Sequence, residues 1–320
     1  MSGAWHWLSE PWGQAFMQHA FLEVGLVGIV GGWLGCWVLL YGVSYSAESL
    51  SHGMFPGLVA ASLLGLPIVA GGAVGAGAAA GGIAGLGDIR GIDRDTSVGV
   101  VVTSMFGLGA LLALMPATPP GIQELLFGDV LAVSRRDLLV TALIALPVLA
   151  LLWVLHERLL AVGFDRSTAR AVGIAPRPVE LVVMLLVAAA VVVSVQSLGS
   201  LLVVAVLVAP PAAARLLARR LRSMLRLSVA VAIAGGIAGL YLSYYAGTAA
   251  GASIALCLVG DLLGRRAALL ARERIHDARA GGACAVALAL EGRLRVCAPV
   301  VVVRAHVSMV AETQYRYPLR

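Results

Sequence analysis

The chain has 320 residues, of which 60% are hydrophobic and only 12% are charged. Soluble domains carry about 25% charged residues, so this composition, with a mean hydropathy of +0.94, excludes an ordinary soluble protein. The net charge of +6 would suggest nucleic-acid binding in a soluble chain, but here the basic residues lie in short segments between apolar runs. The sequence therefore predicts an all-α polytopic membrane protein, because helices satisfy their own backbone hydrogen bonds in lipid.

Apolar runs long enough to cross a ~30 Å hydrocarbon core predict about nine transmembrane helices, and eight to ten fit the pattern. The predicted spans are Phe21–Tyr41, Tyr45–Leu66, Ile68–Leu86, Thr96–Met115, Leu138–Val154, Leu181–Val195, Leu198–Ala213, Leu227–Tyr245 and Ala252–Leu263. Residues 1–20 are expected to form an outer-face interfacial segment, 21–266 the transmembrane domain, and 267–320 a short cytoplasmic C-terminal tail of unknown role.

The N-terminal segment lacks the basic start and apolar core of a cleaved signal peptide, and Trp5, Trp7 and Trp12 are typical of an interfacial anchor. Glu23 and Asp261 are near the ends of predicted spans, so we expect both carboxylates to reach the membrane interface.

All 23 basic residues are arginine. Thirteen of them fall in alternate connections and after the last span, whereas only Arg135 and Arg136 fall in the other connections. Since cytoplasmic loops carry the excess of positive charge, we expect the N-terminus outside and the C-terminus in the cytoplasm.

The stretch GGAVGAGAAAGGIAGLG, from Gly71 to Gly87, has no polar side chain and is therefore a poor flexible linker. Small residues four apart, such as Gly77, Gly81 and Gly85, favour close helix packing in lipid.

The segment AESLSHGMFPG places Glu48 and His52 four residues apart between apolar runs. On a helix both side chains share one face, and a carboxylate with an imidazole suits divalent first-row metals. Pro56 and Gly57 follow, so we expect a kink there, and broken helices often mark transporter binding sites. The two side chains could instead bond each other and hold two helices together.

Other polar positions give weaker indications. Gln196 and Ser197, at the outer end of the sixth predicted span, either line a pathway mouth or cap a helix. A Walker A loop requires a lysine, and the chain has none. Any ATP hydrolysis is therefore expected from a separate subunit, and this chain is not expected to be an enzyme.

Five segments in order resemble permease subunits of the ABC-type zinc, manganese and iron uptake systems, the ABC-3 metal permease family. They are ESLSHGMFPGLVAASLLG, DRDTSVGVVVTSMFGLG, LLFGDVLAVSRRDLL, FDRSTARAVGIAPR and VVSVQSLGSLLVVAVLVAPPAAARLLARR, and the resemblance runs from about Phe16 to Leu263.

The resemblance implies a homodimeric permease in the plasma membrane of a prokaryote. It implies cytoplasmic ABC ATPase subunits and an extracytoplasmic metal-binding protein as partners, with no nucleic acid. The transported ion would be zinc, manganese or iron, with no permanently bound cofactor. Glu48 and His52 match the family's carboxylate and histidine of the metal pathway, although the family usually has Asp where this chain has Glu48.

The resemblance also gives the loop after the fifth span a role as the helix that docks on the ATPase. The matching residues are Asp165, Ala169, Arg170, Ala171, Gly173 and Ile174. A short helix closed by Gly173 fits a glycine C-terminal cap. The same pattern is also compatible with an ordinary amphipathic helix at the interface.

Two other classes of function place different demands on the sequence. A secondary carrier could use Glu48 as a proton or sodium site without any ATPase. A membrane-embedded zinc hydrolase would be expected to show HExxH or an equivalent third ligand, and the sequence shows neither.

Overall fold

The computed structural model describes residues 10–87, 89, 91, 93–116, 128 and 130–267. The chain divides into two compact units, Met1–Gly264 and Arg265–Arg320. Trp5 and Trp7 lie outside the described residues, and so does the predicted tail from 268 onward.

The described residues are helical, with no strand among them, which confirms the all-α fold. The helices are α1 (Ala15–Tyr41), α2 (Ser44–Gly53), α3 (Phe55–Leu64), α4 (Ile68–Gly87), α5 (Arg94–Ala113), α6 (Arg135–Val154), α7 (His156–Phe164), α8 (Arg166–Ala171), α9 (Pro176–Leu217), α10 (Leu221–Ala246) and α11 (250–267). Short 3-10 turns occupy Pro11–Gly13 and Val130–Ala132.

Within the described part of the chain, six helices are long and apolar enough to cross a membrane. They are α1, α4, α5, α6, the first part of α9 (Pro176–Val195) and α10. The second predicted span is divided into α2 and α3, and the seventh corresponds to a shorter apolar helix, Leu202–Leu217. A polytopic helical protein is therefore confirmed, while the count of nine spans stays a prediction.

Helix α1 is central, with α9, α10 and α6 packed around it. Its glycines allow this close approach: a Cβ atom at Gly32 would lie 2.8 Å from the Cα of Val229, and one at Gly35 would lie 2.1 Å from the carbonyl oxygen of Leu207. The Ser228 hydroxyl donates to the carbonyl of Gly32 at 2.7 Å. These contacts bring α10 and α9 against neighbouring faces of α1 at backbone distance.

The glycine-rich stretch forms α4, and its close contacts are made by glycines other than those expected. A Cβ at Gly71 would lie 2.4 Å from the carbonyl oxygen of Gly57, and one at Gly75 would lie 2.6 Å from that of Met54. The three glycines singled out by their spacing have open space around them within the chain: Gly77, Gly81 and Gly85. The prediction of close packing was right for α4 and wrong for these positions, because α2 and α3 cover the opposite face of the helix.

The expectation that Glu23 reaches the interface is wrong. Its side chain is fully buried, and the Thr141 hydroxyl of α6 donates to Glu23 Oε1 at 2.9 Å. The reason is that α1 begins at Ala15, earlier than the predicted span, so Glu23 lies in the third turn of the helix. Asp261, on α11, is partly exposed.

Candidate functional site

The chain breaks between α2 and α3 at Met54. Helix α2 ends at Gly53, and α3 begins at Phe55 with Pro56 in its first turn. Proline lacks a backbone N–H and is suited to the first turn of a new helix. The kink expected near Pro56 is therefore present and lies just before it.

Helix α2 has one buried and one exposed face. Ala47, Leu50 and Ser51 are buried against the helix bundle, whereas Glu48 is exposed and His52 is partly exposed in the single chain. Within the described part of the chain, neither the Glu48 nor the His52 side chain has a hydrogen bond or ion pair. Two polar groups one turn apart are thus presented on a surface that the described part of the chain does not cover.

Aromatic rings flank His52 on its α5 side. The Phe106 ring packs against the His52 imidazole, edge to face at 5.9 Å between ring centroids, and stacks on Phe55 at 5.6 Å. These contacts hold the imidazole beside an apolar wall, so that its orientation is restricted without a hydrogen bond.

Glu48 and His52 alone would be too few ligands for the predicted metal site. No group of three or more His, Cys, Asp or Glu side chains within metal-binding reach is found among the described residues. Since protein-bound zinc takes about four ligands and manganese about six, further ligands must come from outside the described chain.

A second polar element, α7–α8, lies after α6. Asp165 caps the N-terminus of α8: its carboxylate accepts from the Ser167 N–H at 2.8 Å and from the hydroxyls of Ser167 and Thr168 at 2.7 and 2.5 Å. The hydrogen bonds from Thr168 and Ser167 lower the pKa of Asp165 to about 2. The carboxylate is therefore ionised at neutral pH, which suits the positive end of a helix.

Gly173 ends this element. Its φ is +81°, and the N–H groups of Gly173 and Ile174 donate to the carbonyls of Arg170 and Ala169 at 3.0 and 2.9 Å. This is the Schellman pattern of a glycine-terminated helix, and the glycine stands where the sequence predicted a cap.

The other residues of the predicted docking element occupy different environments. Ala169 is fully buried and Ile174 is partly buried, whereas Arg170 and Ala171 are exposed. Phe164 and Val172, which the sequence analysis did not select, are 71% and 70% exposed. The sequence did contain a signal for these two residues, since both are large and apolar and lie at the ends of short helices.

Side-chain contacts join α7 and α8 to the long helices. Arg166 of α8 forms an ion pair with Glu180 at the start of α9, at 2.9 Å. The Tyr41 hydroxyl, at the end of α1, donates to the Leu159 carbonyl of α7 at 3.0 Å. Since α9 also packs against α2, α9 connects α8 to the helix that carries Glu48 and His52.

Gln196 and Ser197 lie on α9 just before a break at Gly199, whose φ is 76° and ψ is 159°. Their backbone is helical, and their side chains lie outside the described part of the structure. A Cβ on Gly128 would lie 2.2 Å from the Leu198 carbonyl carbon, so the connection after α5 contacts α9 at its break.

These features define a polytopic helical membrane protein with a broken helix that presents polar groups on an uncovered face and a short capped helix pair between α6 and α9. The model of the ABC 3 transport family matches residues 13–267. The chain therefore belongs to this family of membrane permeases.

Known proteins with similar sequences are transport permeases. The manganese transport system membrane protein MntC of Halalkalibacterium halodurans is 35% identical over 76% of this chain and 83% of its own. The chelated iron transport system membrane protein YfeC of Yersinia pestis is 30% identical over 68% of this chain and 74% of its own.

A solved structure shares the fold. PsaBC from Streptococcus pneumoniae, in complex with Fab, matches with a TM-score of 0.76 and 31% identity, covering 81% of this chain and 94% of that chain.

Proposed function

We propose that this chain forms the translocation pathway of an ATP-driven importer for manganese or iron, with zinc also suited to its ligands. The observation that carries the proposal is the placement of Glu48 and His52 on the exposed face of a broken helix. A carboxylate facing lipid costs several kcal/mol, so this face requires a polar surrounding. Similar permeases named for manganese and iron support the choice of metal.

The surrounding that fits is a second copy of the chain. A two-fold axis beside α2 would bring two Glu48 carboxylates and two His52 imidazoles together. These four side chains supply the four ligands that zinc takes, and manganese would reach about six with both oxygens of each carboxylate or with water. Glutamate in place of aspartate adds one methylene, which extends the reach of each carboxylate towards a shared ion.

Helices α7 and α8 are the proposed docking element for a cytoplasmic ATPase subunit. Asp165, Ala169, Arg170, Ala171, Gly173 and Ile174 build it. The exposed Phe164 and Val172 add apolar surface, which is typical of a protein contact. When this docking element faces the cytoplasm, the N-terminus lies outside the cell. Gln196 and Ser197 then lie towards the outer mouth of the pathway, where an extracytoplasmic binding protein delivers the ion.

Metal uptake tests the pathway residues. Radioactive manganese and iron uptake, and zinc uptake in parallel, would be measured in a strain lacking its other importers. Glu48→Ala and His52→Ala are expected to reduce uptake at least ~100-fold, because each substitution removes two of the four shared ligands, one from each copy, at a cost of several kcal/mol. Membrane levels of the permease and its co-purification with the ATPase should be unchanged.

Matched controls come from the outer end of the chain. Glu10→Gln and His19→Ala alter the same residue types away from α2 and should retain uptake. Wild-type uptake by both α2 variants would remove the proposed metal role of Glu48 and His52. Uptake without any co-purifying ATPase would instead favour a secondary carrier that uses Glu48 for protons or sodium.

A further inference from the structure

A groove of about 1030 Å³ lies between α1, the α6–α7 junction and α10. Trp33, Trp153 and aliphatic side chains such as Ile233 line its apolar part, and Glu157, Arg222, Arg226 and His156 line its polar part. Arg222 and Ile233 are about 16 Å apart along α10 at 1.5 Å per residue. The groove therefore has a charged end and an apolar end, and no residue of α2 lines it.

The charged end of the groove is suited to an anion. Arg222 and Arg226 are one turn apart on the same face of α10, and both are exposed. In the described part of the structure neither forms an ion pair. Arg222 lies in the first turn of α10, where a helix is electrostatically positive, and this turn has no acidic residue. Arg226 lies in the second turn. With Glu157 counted, this end keeps an excess of one positive charge.

Helix α6, which contributes Trp153 to the groove, carries a row of exposed leucines. Leu139, Leu143 and Leu146 of this helix are 67–73% exposed in the chain, as expected of residues that contact acyl chains. Trp153, beside the groove, is 72% exposed, and tryptophan is enriched where membrane meets water. The groove thus extends from the height of headgroups into the height of acyl chains.

We infer that this groove binds one anionic phospholipid of the leaflet on the α7–α8 side. The phosphate contacts Arg222 and Arg226, and an acyl chain lies against Trp33 and Ile233. Basic pockets between transmembrane helices are suited to such headgroups. The preference for arginine on one side of a membrane explains the side on which both residues lie, but not their placement at the mouth of an apolar groove. The inference does not depend on the transported metal.

Native mass spectrometry of the full chain, purified with its ATPase, tests this site. Phosphatidylglycerol or phosphatidylcholine would be titrated into the detergent-solubilised complex. The wild type should retain one phosphatidylglycerol per permease chain in preference to phosphatidylcholine. The double variant Arg222→Gln/Arg226→Gln should weaken phosphatidylglycerol binding by about tenfold or more, since each arginine near an anionic headgroup contributes substantially.

A charge-matched control is available two residues away. Arg219→Gln/Arg220→Gln removes the same charge from exposed positions outside the groove and should change phosphatidylglycerol binding by less than about twofold. Ile233→Trp fills the apolar end and should weaken binding with no change of charge. Inorganic phosphate should fail to displace the lipid, because it contacts only the charged end.

Three results would overturn the inference. Equal lipid binding by the two double variants would show that the groove arginines have no special role. Displacement by inorganic phosphate would show an anion site without a lipid. If the variant Arg222→Gln/Arg226→Gln no longer binds the ATPase or a second copy but still binds lipid, the groove is a protein contact.

Discussion

Two residues hold the short helix α8 in place from its opposite ends. A six-residue helix is not stable alone. Asp165 at its start and Gly173 after its end stabilise it by satisfying backbone groups at the two helix termini. Because hydrogen bonding lowers the pKa of Asp165 from 3.8 to about 2, the stabilisation it contributes is fully present above pH 4. That stabilisation is lost only as the pH falls through about 2, so the cap is intact at neutral pH.

Replacing Gly173 with valine tests the role of this end of the helix. A β-branched residue at φ +81° costs ~1–2 kcal/mol, and no atom lies within 4 Å of the new Cβ to add a clash. We expect Gly173→Val to uncouple ATP hydrolysis from uptake, and Gly173→Asn to be milder because asparagine tolerates this conformation. The ratio of ATP hydrolysed to metal transported in proteoliposomes measures the effect.

Gly247 provides the matched control. It ends α10 with φ +63° and also has open space around its Cβ position. Gly247→Val should therefore lower thermal stability about as much as Gly173→Val while coupling stays normal. Normal coupling in Gly173→Val would remove this residue from the docking element.

At the scale of helices, the sequence predicted most of the spans and missed how some of them begin or join. Pro56 identified the break between α2 and α3, because proline has a specific effect on helix geometry. The break in α9 had no such signal, since Gly199 resembles the many glycines that only permit close packing. The burial of Glu23 was missed because it depends on the first turns of α1, outside the predicted span.

The break at Gly199 can be tested by a single methyl group. A φ of 76° with a ψ of 159° is a conformation accessible essentially only to glycine. Gly199→Ala should therefore lower the melting temperature of the purified permease, at a cost of ~1–3 kcal/mol, and reduce uptake by altering the α9 segment that contacts Gly128. Gly260→Ala, which places a methyl group in open space on α11, should leave both unchanged. Equal melting temperatures for the two variants would show that α9 tolerates a continuous helix there.

At the scale of the whole molecule, the candidate site consists of only two possible metal ligands on an exposed face. Sequence spacing placed Glu48 and His52 on one helical face, and the fold left that face uncovered beside Tyr45, which is 49% exposed. The further ligands of the proposed site could not be predicted from spacing, because in our proposal they come from a second copy of the chain. The same limit applies to the proposed docking element, since a role for the exposed Phe164 and Val172 would depend on a partner protein.

A cysteine placed on the uncovered face tests whether a second copy covers it. In a background with the native cysteines replaced, Tyr45→Cys should give a cross-linked dimer in membranes under oxidation, because residues beside a two-fold axis approach within ~7 Å between Cα atoms. Leu143→Cys, on α6 and 73% exposed, is expected to face lipid and should remain monomeric under the same conditions. If metal uptake persists while Tyr45→Cys fails to cross-link, or if both variants cross-link equally, α2 does not lie at the seam. A metal ion bound by Glu48 and His52 would then need ligands from another source, since the described part of one copy supplies only these two.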